Sequence, residues 1–287
     1  MEFLKLESTD GFIALDLGDA PAVGVVRQAP KVLRDGAELL ARSTTYAAAS
    51  FGLQIGGGSA GLNAKPEGRD AAVTAFLEEV APLVESGRWL PGPGVGISSA
   101  DLSNLPRAED RATAFDQTTA GESAVAAALG ALGSLDGTRV GIVGGGPSTE
   151  AAAASVSANG GTPQPQAGFD LDCDALLVAG KAGVLEHDIA ATVRAKVVVP
   201  LSPVPVTARA LAVLGRAGVV VVPDFLSTAA PLLAAVDKDG SDSMTRVHES
   251  VASLVGQGTN LWMAAVDRAE VYLRTWQDQL PFGRPLA

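Results

Sequence analysis

The sequence predicts an α/β protein of two domains, and three observations carry that prediction. From residue 139 onward, short runs rich in Val, Leu and Ile alternate with helical stretches, the pattern of right-handed crossovers in a mainly parallel sheet. A glycine triplet, Gly144-Gly145-Gly146, falls where the first of those runs gives way to a helix. Ahead of residue 120 the apolar residues fall at both strand and helix spacing, so a separate α/β unit precedes the parallel one. A chain of 287 residues is long enough for two medium domains.

The elements follow in order. Phe12 to Leu17 and Ala22 to Arg27 read as strands on either side of a Gly-Asp-Ala-Pro turn. Leu33, Ala37 and Leu40 then recur at helical spacing, which predicts a helix over 31–50. Gly56 to Gly58 interrupt it, and Ala60 to Ala64 read as a buried strand. Val73, Phe76, Leu77, Val80 and Val84 form the apolar stripe of an amphipathic helix, and Leu90 to Gly96 read as an irregular loop. Past Thr119 a small-residue helix (119–132) leads into a strand over 139–143, the glycine triplet and an Ala-rich helix. Further strands are expected at 176–179, 196–199 and 219–222, with helices at 184–194, 205–216 and 226–236. Trp262, Val266, Ala269, Leu273 and Trp276 line one face of a last helix, as core or as subunit interface.

Composition narrows the function classes. The net charge of -11 leaves no basic surface to neutralise phosphates, which argues against nucleic acid and anionic membranes as partners. Cys173 is the single cysteine, so neither an intrachain disulfide nor a Cys-rich zinc site is expected, and no metal is assigned. The residues Met1-Glu2-Phe3-Leu4-Lys5 lack a basic segment followed by an apolar one, and no apolar run is long enough to span a bilayer. A cytoplasmic location is expected.

The motif with the clearest chemistry is Gly144-Gly145-Gly146-Pro147-Ser148. Glycines between a strand and a helix permit a tight turn and the close approach of a pyrophosphate, whose charge then sits at the helix N-terminus. NAD or NADP is the cofactor such a turn would hold. Three details count against it. Thr149 stands where the fingerprint has its third glycine; Pro147, at the first helical position, brings no N–H. The acid expected about 20 residues on, at the end of a second strand, is missing. Asn159 to Gly168 stand there, with two prolines that bar a central strand.

The stretches TTYAAASFGLQIGGGSAGLNAKP (44–66) and WLPGPGVGISSADL (89–102) resemble the leucine, phenylalanine, valine and glutamate dehydrogenase family. Tyr46, Gly52, Leu53, Gly56 to Gly58, Val95 and Gly96 match its first-domain motifs, and Thr119-Ala120 and Pro223-Asp224-Phe225 match in the second. The resemblance implies an N-terminal oligomerisation and substrate domain, expected over 1–120 plus 241–287 with C-terminal helices packing back. It also implies a truncated Rossmann-like nucleotide domain over 121–240, lacking one strand-helix-strand portion. A homo-oligomer, dimer or higher, is implied as well. In the family, one lysine clamps the substrate carboxylate, a second activates water and the amine-bearing carbon, and an aspartate assists proton transfer. Those positions fall on Ala47, Ser59 and Gly94. The family's Asn-Ala-Gly-Gly near the nicotinamide becomes Thr228-Ala229-Ala230-Pro231, and the asparagine of another turn becomes Ser202 or Pro203.

The glycine architecture persists while the ionisable groups are gone. A positioned acid or base contributes about 10²–10⁴ in rate, so losing all three should abolish the family's reaction. Candidate substrate-binding residues are Arg27, Tyr46, Gly57, Gly58, Ser59, Thr119 and Lys181, with His187 near the same sheet edge as Lys181. Three functions stay open. One is a catalytically degenerate homologue that binds a small molecule and serves as a regulatory or partner subunit, beside another protein. The others are an NAD(P)-dependent oxidoreductase with an altered substrate, and a non-redox enzyme built around Tyr46, Ser59 and Thr119.

Overall fold

A computed structural model describes residues 1–236, 242–255 and 260–287. The chain divides into two compact units, Met1–Phe115 with Tyr272–Pro285, and Asp116–Val271 with Leu286–Ala287. The expected boundary at 240–241 lies outside the described residues.

The first unit contains strands β1 (Glu2–Lys5), β2 (Gly11–Leu15) and β3 (Ala22–Ala29), helix α1 (Arg34–Ser50) and strand β4 (Gly56–Asn63). Helix α2 (Arg69–Glu85), strand β5 (Trp89–Gly92) and helix α3 (Ala108–Ala114) follow. The sheet order is β1-β2-β4-β3-β5; β2 runs antiparallel to β1 and β4, whereas β3, β4 and β5 are parallel. The stripe expected of α2 is its core face. Val73, Phe76, Val80 and Val84 pack with Trp89, Ile13, Leu15, Val26, Ala60 and Leu62 in one apolar cluster.

Three readings of this unit need correction. Gly56 to Gly58 do not interrupt the chain but open β4, which runs unbroken to Asn63. A methyl group on Gly57 would sit 1.7 Å from the Ala41 carbonyl oxygen, so α1 lies directly on the bare backbone of the strand. Glycine serves here to let helix and sheet approach, a contact between segments distant in sequence. Second, the expected loop at 90–96 begins as strand β5, which tolerates Pro91 because it is an edge strand. Leu33, counted in the stripe of α1, is its exposed N-cap instead.

The second unit starts with α4 (Gln117–Leu132), followed by β6 (Arg139–Val143), α5 (Pro147–Ala158), β7 (Thr162–Pro165) and β8 (Ala175–Val178). Next come α6 (His187–Ala190), β9 (Val197–Pro200), α7 (Ala208–Arg216), β10 (Val220–Val221) and α8 (Asp224–Ser227). Helices α9 (Ala230–Val236), α10 (Ser243–Val255) and α11 (Leu261–Leu273) complete it, the last running past the unit's end at Val271. Its five strands are all parallel, in the order β10-β9-β8-β6-β7.

The proline-bearing segment after α5 does form a strand, β7, at the sheet edge, where missing N–H groups cost least. The expected helix at 184–194 shrinks to α6, and the one at 226–236 is broken into α8 and α9. Helix α10 buries Val247, Val251 and Leu254 and lies so close to α4 that a methyl on Gly130 would meet the His248 carbonyl oxygen at 2.5 Å. The return to the first unit therefore begins at Tyr272, later than residue 241. Trp262, Val266, Ala269 and Leu273 are buried, so those four are core, whereas Trp276, expected on the same helix face, lies beyond the end of α11 and is half-buried.

Candidate functional site

In the first unit the residues singled out from sequence gather on β3, β4 and α1. Tyr46 is buried in α1, with Ala47 beside it at 7% exposure. Ser59 is wholly buried on β4, and its hydroxyl has no hydrogen-bond partner. Gly57 and Gly58 are packing positions; a methyl on Gly58 would meet the Trp89 indole nitrogen at 2.6 Å. Gly94 follows β5, and a methyl there would lie 2.5 Å from the Val26 carbonyl oxygen, so the backbone has closed over the space a side chain would fill. Positions 47, 59 and 94 thus carry no ionisable group, and at 94 there is no room for one.

Arg27 stands near the end of β3, paired across to Gly61. Its Nε and Nη2 are buried without acceptors, and burial pushes its guanidinium below the ordinary arginine value. A second arginine of this unit, Arg42, escaped the sequence reading. Its Nε lies 2.8 Å from both carboxylate oxygens of Asp16, and its Nη2 lies 2.7 Å from Oδ1. Its Nη1 donates to the carbonyl oxygens of Phe282 and Gly283, fastening the C-terminal segment to α1. Asp16 and Arg42 are 2% and 6% exposed, a buried pair whose charges cancel. Arg42 is among the buried residues of α1, where a lone charge needs a partner, and the sequence of the helix does not name that partner.

In the second unit the glycine turn lies at the carboxyl edge of the parallel sheet. The chain leaves β6 for β7 on one side and later returns to β8 on the other, so the crevice between β6 and β8 is a topological switch point, where such sheets bind ligands. Gly144 has φ +97, and a methyl on it would meet the Ala179 carbonyl oxygen at 2.7 Å. Gly146 has φ 111 and ψ -178, a conformation open to glycine alone. Methyl groups on Gly145 and Gly146 would meet nothing, so this stretch of backbone faces open space. Ser202 bridges the neighbouring turn, its hydroxyl bonded to both the N–H and the carbonyl of Gly180. Lys181 follows, exposed, at the same edge.

The first turn of α5 spends much of its donor capacity on itself. The Thr149 and Glu150 N–H groups both donate to the Gly146 carbonyl, as does the Thr149 hydroxyl, and Pro147 has no N–H. A pyrophosphate would meet the N–H groups of Gly145, Gly146 and Ser148. At the end of β7, twenty residues past Gly146, stands Gln166 at φ 57, so the ribose position offers an amide and no carboxylate.

The remaining candidates lie elsewhere. Thr119 lies in the first turn of α4, whose N-cap is Asp116: its N–H and hydroxyl both donate to the Asp116 carboxylate, which holds that carboxyl below its ordinary range. His187 pairs with Asp188 on the surface at 3.1 Å. Cys173 is buried, and desolvation raises its thiol, which suits a packing role. Among the described residues no group of three or more His, Cys, Asp or Glu could hold a metal ion, and no helix is long and apolar enough to cross a membrane.

No family model matches the chain, and none of the curated proteins does. Solved structures do match. The hetero-hexameric glutamate dehydrogenase of Thermus thermophilus in its Leu-bound form is 21% identical with a TM-score of 0.76, over 95% of this chain and 86% of that one. The L-tryptophan dehydrogenase of Nostoc punctiforme is 20% identical with a TM-score of 0.70, over 96% of each chain. The glutamate dehydrogenase of Plasmodium falciparum is 10% identical with a TM-score of 0.76, over 95% of this chain and 80% of that one. Likeness at these identities is a likeness of fold, and the fold of this chain is that of the amino-acid dehydrogenases.

Proposed function

We propose that this chain is a catalytically degenerate protein of the amino-acid dehydrogenase type, which binds a small molecule and serves as a regulatory or partner subunit. The observation that carries the reading is the state of positions 47, 59 and 94. Alanine, a buried serine and a glycine with no side-chain space stand where the resembled family has its two lysines and its aspartate. Without a cation a substrate carboxylate has no partner for its charge in a desolvated site, and without a base the proton on the amine has nowhere to go. The Thermus relative, hetero-hexameric and Leu-bound, is a precedent for unlike subunits and for small-molecule occupancy in this fold. On this reading the chain is an oligomer, with itself or with a related subunit, in the cytoplasm.

The test is an assay of the purified protein with a panel of L-amino acids and both nicotinamide cofactors. No NAD(P)H should form. Turnover that is lost in Gly146→Ala would refute the degeneracy.

One observation favours a second reading, an NAD(P)-dependent oxidoreductase acting on an altered amino-acid-like substrate. The open backbone at Gly145 and Gly146 fits a pyrophosphate, and a bound dinucleotide would supply hydride transfer. Calorimetric titration with NAD and NADP decides it: a flat trace with both removes the cofactor.

A further inference from the structure

In a parallel sheet of this kind the ribose of a bound dinucleotide lies at the end of the strand that follows the glycine turn, and the residue there sets which dinucleotide is accepted. The register identifies that residue. Pro165 of β7 is level with Ile142 of β6, and the Ala167 N–H donates to the Ile142 carbonyl at 2.9 Å. Gln166 stands between these two anchors, exposed and at φ 57, while Gly144 follows Ile142 after a single residue. The strand end, Gln164 to Gly168, has no charge of either sign. The loop from Gln166 to Asp174 contains three aspartates and no lysine or arginine. Two of those aspartates are committed to the opposite edge of the sheet, where β6, β8 and β9 begin. Asp174 accepts from the Arg139 N–H at 2.9 Å and pairs with Lys196 at 2.8 Å, and Asp172 lies 3.5 Å from Nη2 of Arg139. Asp170 is turned back on its own loop, its Oδ1 2.7 Å from where a methyl on Gly168 would lie.

We infer that Gln166 makes the second unit indifferent to the ribose 2′-phosphate, so that it binds NAD and NADP with similar affinity. A carboxylate at this position only accepts hydrogen bonds: it holds the 2′-hydroxyl of NAD and repels the 2′-phosphate of NADP. An arginine does the reverse. The amide of Gln166 serves either ligand, since its Oε1 accepts from a hydroxyl and its Nε2 donates to a phosphate. Both bonds lack the charge assistance that about doubles the strength of a hydrogen bond, so neither ligand gains much over the other. Gln166 and Gly168 are exposed, so the additional charge of NADP keeps its water and costs little to bring in. This inference rests on the reading in which the turn at Gly144 to Gly146 holds a dinucleotide, and it adds which dinucleotides that turn accepts. Binding alone is enough for it, whether or not the chain performs chemistry.

The experiment is calorimetric titration of the full chain with NAD and with NADP in one buffer at constant ionic strength, which reads binding and not turnover. The two dissociation constants should agree within about fivefold, less than one charged contact is worth. Gln166→Asp should weaken NADP by more than about tenfold relative to NAD, because it sets a carboxylate against the 2′-phosphate. Aspartate tolerates the left-handed backbone at this position, so the variant should fold. Gln166→Arg should move the ratio about tenfold the other way. A wild-type ratio beyond fivefold in either direction overturns the inference, as does a ratio that Gln166→Asp leaves where it was. Should Gln166→Asp not fold, an unmoved ratio in Gln166→Arg overturns it equally. A gain in NADP affinity of tenfold or more in Asp170→Asn also overturns it, by giving the discriminating role to Asp170. Flat traces with both cofactors refute the dinucleotide reading itself and this inference with it, whereas measurable binding with a large ratio refutes Gln166 alone.

Discussion

The chain contains the same tripeptide twice, Gly56-Gly57-Gly58 and Gly144-Gly145-Gly146, and the two copies do opposite things. The first lies inside a strand, where the missing side chains are space that neighbours already occupy: the Ala41 carbonyl at Gly57 and the Trp89 ring at Gly58. The second is a turn, two of whose glycines have φ of +97 and +111, and beyond Gly145 and Gly146 there is nothing. The first triplet is filled by the protein throughout, whereas in the second only Gly144 is, against the Ala179 carbonyl, and the other two face open space. A glycine run therefore says that side chains are unwelcome, but not whether the reason is packing, backbone conformation or a ligand.

Substitution by alanine breaks the comparison into measurable parts. Gly57→Ala should have the largest effect, more than about 3 kcal/mol in denaturant unfolding, since a methyl at 1.7 Å from a backbone oxygen forces α1 off the sheet. A small loss would mean that the helix can lift, and that the close approach is not what glycine secures. Gly146→Ala should cost about 1–3 kcal/mol, through backbone strain alone, because its methyl meets no atom. Acid acts on the first unit near Gly96, whose carbonyl Arg69 holds at 2.9 Å while the same side chain pairs with Asp101 at 2.6 Å. The Arg69 hydrogen bond, with Ser98 assisting, holds the Asp101 carboxyl at about 2. A carboxyl depressed in the folded state stabilises it above the ordinary aspartate value, and that contribution is lost as pH falls toward about 2. Asp101→Asn should thus cost about 1 kcal/mol or less near neutrality and nothing in strong acid, as read by unfolding at both pH values. Gly145→Ala should change stability least, within about 0.5 kcal/mol. If a dinucleotide binds, its affinity should nonetheless drop in calorimetry, which separates the open triplet from the filled one.

Much of the fold was legible because its signals are local. The stripe Val73, Phe76, Val80, Val84 needs only the helical period to reveal which face of α2 is buried, and β6, β8 and β9 are short apolar runs between turn residues. Strand β7 was not legible, because Pro163 and Pro165 forbid a central strand and only the sheet order discloses that this one is at the edge. Of the site, the glycine turn and the absence of an ionisable side chain at 47, 59 and 94 could be read directly. The pairing of Asp16 with Arg42 could not, nor could the capture of Phe282 and Gly283 by the same arginine, since nothing in either segment names the other.

The sequence by itself determined helix α2 and strands β6, β8 and β9, that a glycine turn follows β6, and that positions 47, 59 and 94 carry no ionisable side chain. These follow from side-chain period and residue identity, properties of a few neighbouring positions. The tertiary structure decided which glycines are filled and which open, which helices join which unit, and which buried arginines meet a carboxylate, as Arg42 meets Asp16. Those depend on atoms brought together from distant parts of the chain, and burial, the quantity that makes an unpaired guanidinium costly, exists only once they meet.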